Sequence, residues 1–336
     1  MKKILLASLI ASALPTLAMA QSNVQLRGSI DVGLESLSKD ANGGEKSDLQ
    51  VNDGIWGASR VIIDGTEDLG NGSKGIFMLE MRARGDNGVQ TDSEAFYNEA
   101  WVGLDTNFGV VKLGKQDVAI KPVLDIGDLT GQSFYYNNDA LAGVIGSRNN
   151  TISYASPELA GITLSASYSA GETDPANATG DFHKQNDMYS ISGTGDWGAF
   201  SFGLGYQSND GAGLQNLKRT NQLLASVGTQ LGRFGAGLTY AESKIKYENN
   251  APSNKTKGYF GSLSFEVTES GTAYLTYRRD DPQGENNNLS GVGLAYTHGL
   301  SKRTYLYGAV GIGKQEMPGA DDLKPRRVAL GLRHFF

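Results

Sequence analysis

Val24, Leu26, Gly28, Ile30, Val32 and Leu34 fall on one parity of the chain, while Gln25, Arg27, Ser29, Asp31, Gly33 and Glu35 fall on the other. Period-two alternation over this length makes a strand with one apolar and one polar face. The pattern returns in Phe77-Leu79-Met81, in Ile162-Leu164-Ala166-Tyr168, in Phe200-Phe202-Leu204-Tyr206 and in the closing Val328-Leu330-Leu332. It predicts sixteen strands, over 24–37, 55–67, 74–85, 95–106, 108–116, 148–156, 161–171, 187–194, 199–208, 219–231, 233–247, 257–268, 271–280, 288–298, 303–313 and 326–336. The connectors alternate in length. Thr106-Asn107, Gly232 and Glu269-Ser270 are tight, whereas 38–54, 117–147 and 172–186 are long and polar.

Alternation alone does not separate a soluble sandwich from a membrane barrel, because both hide one face. Three features favour the barrel. The strands are long enough for a tilted crossing of hydrocarbon. The polar parity carries charges in mid-strand, among them Arg27, Asp31, Glu80 and Arg82, which suits a wet interior. Trp101, Phe108, Tyr154, Trp197, Phe200, Tyr296 and Tyr305 sit at strand ends near turns, as an interfacial girdle requires. The fold class expected is therefore all-β: a 16-stranded antiparallel transmembrane barrel with short periplasmic turns and long extracellular loops.

Composition narrows the picture further. Met1-Lys2-Lys3, an apolar run from Ile4 to Leu17 and the triplet Ala18-Met19-Ala20 form a signal peptide over 1–20, with Gln21 as the first mature residue and the barrel over 21–336. The chain has 336 residues, no cysteine and a net charge of −6. An exported chain without cysteine has neither disulfides nor thiolate metal sites. The acidic balance argues against nucleic acid as a partner. The 45 glycines follow no period of three, so collagen is excluded, and 15 Tyr with 12 Phe argue against disorder.

At specific motifs the chain resembles the general diffusion porins of Gram-negative outer membranes, in particular the beta-proteobacterial type. Ser59-Arg60, then Gly65-Thr66-Glu67-Asp68-Leu69-Gly70-Asn71-Gly72, resembles the second strand and first turn of that family. Phe108-Gly109 with Lys112-Leu113-Gly114, Arg148-Asn149-Asn150-Thr151 and the ending Gly331-Leu332-Arg333-His334-Phe335-Phe336 continue the likeness in order along the mature chain. The resemblance implies a homotrimer in outer-membrane lipid whose third long loop, 117–147, folds into the lumen and narrows it. It implies passive diffusion of ions and small hydrophilic solutes, no enzymatic activity, no cofactor and no metal. It implies that Phe336 is read by the outer-membrane assembly machinery.

Charge around such a constriction biases passage. The family's basic cluster maps onto Arg60 and Arg148, and its acidic partner onto Glu80. Arg82 and Lys112 share the lumen parity. The loop contributes Asp117, Asp125 and Asp128. A third basic position of the family is Asn98 here, beside Glu99, which weakens the basic wall. With the loop aspartates this favours a mild cation preference.

Other signals carry less. Gly308–Lys314 has the spacing of a phosphate loop, but Gln315 follows where Ser or Thr is needed. The Gly-x-Gly runs at Gly203–Gly205 and Gly291–Gly293 read as strand glycines. Asp40–Glu45 lacks the spacing of a calcium loop. An outer-membrane hydrolase on a barrel is the alternative, disfavoured because His183, His298 and His334 are the full histidine complement. A substrate-specific channel of the same fold is a variant of the leading reading.

Overall fold

The structure, a computed structural model, describes residues 23–40, 49–90, 95–96, 98–171, 187–210, 217–247, 252–284 and 287–336. The predicted signal peptide, the run 41–45 and His183 lie outside the described residues.

The strands are β1 (Asn23–Asp40), β2 (Leu49–Asp53), β3 (Arg60–Gly70), β4 (Ser73–Arg82), β5 (Glu99–Thr106), β6 (Gly109–Asp117), β7 (Ser147–Ala155), β8 (Ile162–Ser169) and β9 (Met188–Trp197). They continue as β10 (Phe200–Asp210), β11 (Leu217–Leu231), β12 (Phe234–Tyr247), β13 (Asn254–Thr268), β14 (Gly271–Gln283), β15 (Leu289–Gly299), β16 (Thr304–Gln315) and β17 (Lys324–Phe335). From β3 onward each strand pairs antiparallel with the next, and β17 returns to β1 with Asp31 opposite Arg333. Closure removes both sheet edges, so every ladder group in the hydrocarbon finds a partner within the sheet.

β2 and β3 are two halves of one barrel strand. Val32–Ser36 of β1 pairs with β2, and Asn23–Ser29 of β1 pairs with β3. The barrel therefore has sixteen strands, as the alternation predicts. The second of them departs from the expected 55–67 span. It breaks after Gly54, whose φ of +68° lies in the left-handed region that favours glycine. Ile55 and Trp56 leave the sheet and are buried inside the lumen. The Asp31 carboxylate holds the excursion by accepting the Gly57 N–H at 3.0 Å, and the Asp31 carbonyl accepts that of Gly54 at 3.0 Å.

Burial is inverted relative to a soluble protein. The apolar parity points outward: Leu26 and Leu330 are each 66% exposed. The buried apolar side chains lie inside, where the connector 118–146 packs against the inner wall. Its α-helix, α1 (Lys121–Gly127), has a proline in the first turn and ends before Asp128. Ile120, Val123, Leu124 and Leu141 of the connector form one cluster with Met188, Leu224 and Phe260 of the wall. Phe134 and Tyr135 form a second with Trp56, Tyr307 and Ala309. Full burial of each large apolar side chain contributes about 1.5–3 kcal/mol.

The connector fits because the wall beneath it is small. A Cβ at Gly228 would press on the Ile126 carbonyl, one at Gly237 on the Gly127 carbonyl, and one at Gly258 would lie 2.6 Å from Leu141 Cγ. Gly203, Gly205, Gly291, Gly293 and Gly311 face the same segment. Wall hydroxyls then bond its backbone. Ser167 and Ser190 accept the N–H groups of Ala119 and Ile120 at 3.0 and 2.9 Å. Ser262 accepts from Leu129 N–H at 3.1 Å and donates to the Gly127 carbonyl at 2.8 Å. Arg278 donates to the carbonyls of Asn137, Asp139 and Ala140. These bonds satisfy backbone groups that burial would otherwise leave unpaired.

Candidate functional site

The connector lies on the lumen face of β9–β13, through α1, and reaches β14–β17 through Tyr135 and Tyr136. The inner faces of β3–β7 form the opposite side of the passage. Register fixes which of their side chains reach it. Arg60 stands opposite Arg82, and Ile62 opposite Glu80, across β3 and β4. Glu80 in turn stands opposite Glu99, and Met78 opposite Trp101. Gly103 lies opposite Lys112.

Glu80 is the hinge of the basic group. Its Oε1 lies 3.3 Å from Arg60 Nη1 and 3.3 Å from Arg82 Nε. The Glu80 side chain is 4% exposed and both arginines are 29% exposed. The carboxylate sits behind the two guanidinium groups, which keep access to water. Arg333 joins them from β17 and acts electrostatically on Arg60. It donates to Ser29 Oγ at 3.3 Å and to the Tyr305 hydroxyl at 3.5 Å. Behind it, Tyr307 donates to Asp31 Oδ1 at 2.5 Å. Arg333 lies in the Gly331–Phe336 ending, where its parity, shared with Gly331 and opposite to that of Leu330 and Leu332, marks it as a lumen residue.

A second charged group forms where β5 and β6 meet the connector. Glu99, Lys112, Asp117, Lys121 and Asp125 line one depression of about 230 Å³. Lys121 pairs with Asp125 at 3.0 Å, one helical turn away. Lys112 Nζ lies 4.6 Å from the centroid of the Trp101 ring, a cation–π contact. The Trp101 N–H donates to Glu99. Lys112 thus keeps company with carboxylates and does not extend the Arg60 group.

Three sequence expectations change here. Trp101 and Tyr305 face the lumen and not the lipid, because each shares its register row with inward residues: Met78 and Gly114 for Trp101, Arg333 for Tyr305. Phe108, Tyr154, Trp197, Phe200 and Tyr296 are exposed outward at strand ends as expected. Asp128 leaves the set of passage-lining residues. It is 3% exposed and accepts bonds from Thr130 N–H at 2.9 Å, Thr130 Oγ1 at 2.5 Å and Asn138 N–H at 3.2 Å. Burial pushes its carboxyl above the ordinary aspartate range, against the pull of those donors. Asp128 shapes the connector, while Asp125 lies on the exposed face of α1.

Arg148 stands apart from Arg60. It lies opposite Gln116 on β6 and donates to Asn209 Oδ1 of β10 at 3.3 Å. Phe336 continues β17 past its last ladder residue: its N–H and carbonyl exchange 3.1 Å bonds with Gly28 of β1. No group of three or more His, Cys, Asp or Glu side chains placed to hold a metal occurs among the described residues.

Comparison with known proteins covers nearly the whole chain. A family described as Gram-negative porin matches residues 6–316. Outer membrane porin protein 32 of Delftia acidovorans is 31% identical, over 98% of this chain and 95% of that protein. Major outer membrane protein P.IB of Neisseria meningitidis serogroup B is 26% identical over the full length of both. Among solved structures, an anion-selective porin from Comamonas acidovorans superposes with a TM-score of 0.80 at 26% identity, over 94% of this chain and 100% of that one.

Proposed function

This chain belongs to the Gram-negative porin family, and from that premise we infer how its channel handles charge. It is a passive diffusion channel in the bacterial outer membrane. Ions and small hydrophilic solutes pass between the connector and the inner faces of β3–β7. The basic group Arg60–Arg82–Arg333 and the acidic group Glu99–Asp117–Asp125 lie side by side along that passage, with Glu99 on β5 directly opposite Glu80 on β4 and Asp125 on the connector. Each carries its own counter-charge, Glu80 in the first and Lys112 with Lys121 in the second. Local fields orient a passing solute, while the net bias on ions stays weak. The observation that carries this reading is the Glu80 carboxylate shared between two arginines.

The reversal potential across a tenfold potassium chloride gradient tests it. The expected value lies well short of the ~59 mV of an ideally selective pore, with either sign. A value near that limit would sink the reading. The mild cation preference expected from the loop aspartates loses support, since Asp128 is buried in the connector.

The protein works as a homotrimer with no catalytic role. Against a hydrolase stand His298 and His334, which sit beside Tyr296 and Thr304 at the short-turn end with no place in the passage. Residues 1–20 are removed on export, and Phe336, fixed to Gly28, is the terminal signal for barrel assembly.

A further inference from the structure

The depression where β5 and β6 meet the connector holds about 230 Å³, the share of roughly eight waters at ~30 Å³ each. Its wall carries both signs of charge: Glu99, Asp117 and Asp125 against Lys112 and Lys121. Lys121 and Asp125 answer each other at 3.0 Å, and Lys121 also donates to Gln132. The remaining three charges are not answered. Among the described residues Lys112, Glu99 and Asp117 form no ion pair within 4.0 Å.

Trp101 sets the spacing of these three. Lys112 Nζ lies over the face of its ring, 4.6 Å from the centroid, and Glu99 accepts the N–H at its edge. The indole thus stands between an ammonium and a carboxylate and keeps them from closing on each other. Asp117 joins the Glu99 side, near enough for the two carboxylates to act on each other. Two carboxylates without a cation and an ammonium without an anion leave room for a ligand that brings one of each. A zwitterion does so. Three carboxylates against two ammonium groups also leave the wall one negative charge in excess, which favours a ligand with one positive charge in excess. Asp125, with its side chain 57% exposed at the rim, is placed to meet that second cation.

We propose that the depression lined by Glu99, Lys112, Asp117, Lys121 and Asp125 is a transient binding site for basic α-amino acids. The ligand carboxylate rests on Lys112, its α-ammonium lies between Glu99 and Asp117, and its side-chain cation points toward Asp125. This rests on the reading of the lumen as an open passage, and adds a solute class that pauses in it. A channel needs such a stop to be weak enough for the solute to leave.

Open-channel current of the detergent-purified full chain in a planar bilayer, recorded at rising concentrations of L-arginine, L-argininamide and L-glutamate, tests the site. Arginine should interrupt the current in a saturable way. It should bind at least as tightly as argininamide, although the amide carries one more positive charge. Glutamate should leave the current undisturbed at the same concentrations. Lys112→Met should weaken arginine about tenfold, the worth of one charge-assisted bond, and leave argininamide as tight as before or tighter. Glu99→Gln should weaken both. The comparison of ligands on the parent protein stands even where a variant fails to insert. A folded protein that opens no channel would overturn the reading of the passage itself. Intact openings that arginine does not interrupt would overturn this proposal alone. So would tighter binding of argininamide than of arginine, or equal weakening of both by Lys112→Met, since either leaves only an attraction for positive charge.

Discussion

Glu80 holds Arg60 and Arg82 with a single carboxylate, 4% exposed, so its charge is spent on two neighbours before any ion arrives. Glu80→Gln keeps the shape and frees both guanidinium groups. One charge changed at ~10 Å across water alters the energy of a monovalent anion and of a cation by ~0.4 kcal/mol each, in opposite directions, so the anion-to-cation permeability ratio should rise about fourfold. Arg333→Gln should move it about as far toward cations. Reversal potentials of the two variants, measured side by side, check both signs; shifts in the same direction would refute the assignment. Glu80 and Arg82 were legible because strand parity puts them on the inward face, whereas Arg60 entered through the family resemblance. Asp128 was not legible, because its partners Thr130 and Asn138 come from a loop whose path has no periodicity. Trp101 misled because an aromatic near a turn reads as a girdle residue unless its register partners are known.

The 118–146 connector behaves as part of the wall. Its helix rests on Gly228 and Gly237, and Ser262 bonds its backbone twice. Gly237→Val pushes on a backbone carbonyl that has no side-chain freedom to move. The expected cost is about 1–3 kcal/mol in the thermal transition of the detergent-solubilised protein, together with a larger single-channel conductance as the helix lifts. An unchanged conductance would show that the connector does not set the width. Trp56→Ala should cost about 3–5 kcal/mol, because it empties the cluster formed with Phe134, Tyr274, Tyr305 and Tyr307. Calorimetry checks the figure. The glycines at 203, 205, 291 and 293 were visible in the sequence as strand residues. Their purpose was not, since it depends on a segment that returns to them from about 80 to 160 residues away. The break at Gly54 was hidden for a similar reason: Ile55-Trp56 continues the apolar count of a strand, and only the aromatic cluster across the lumen explains its departure.

At the scale of the molecule the barrel was the most legible feature. Sixteen alternating segments with connectors of alternating length leave few other ways to satisfy every backbone group in lipid. The association of copies was less legible, because a lipid-facing and a copy-facing strand show the same outward alternation. Planar-bilayer recordings of the detergent-purified protein should show ohmic openings that close in three equal steps. Single-step closure would replace the trimer with a monomer.

The connector is bonded to the wall at points along its length, from Ala119 at Ser167 to Ala142 at Asp280. A segment tied down in this way gives each copy a single open width, so the current through an open copy should follow the driving force in direct proportion, as through a fixed resistor.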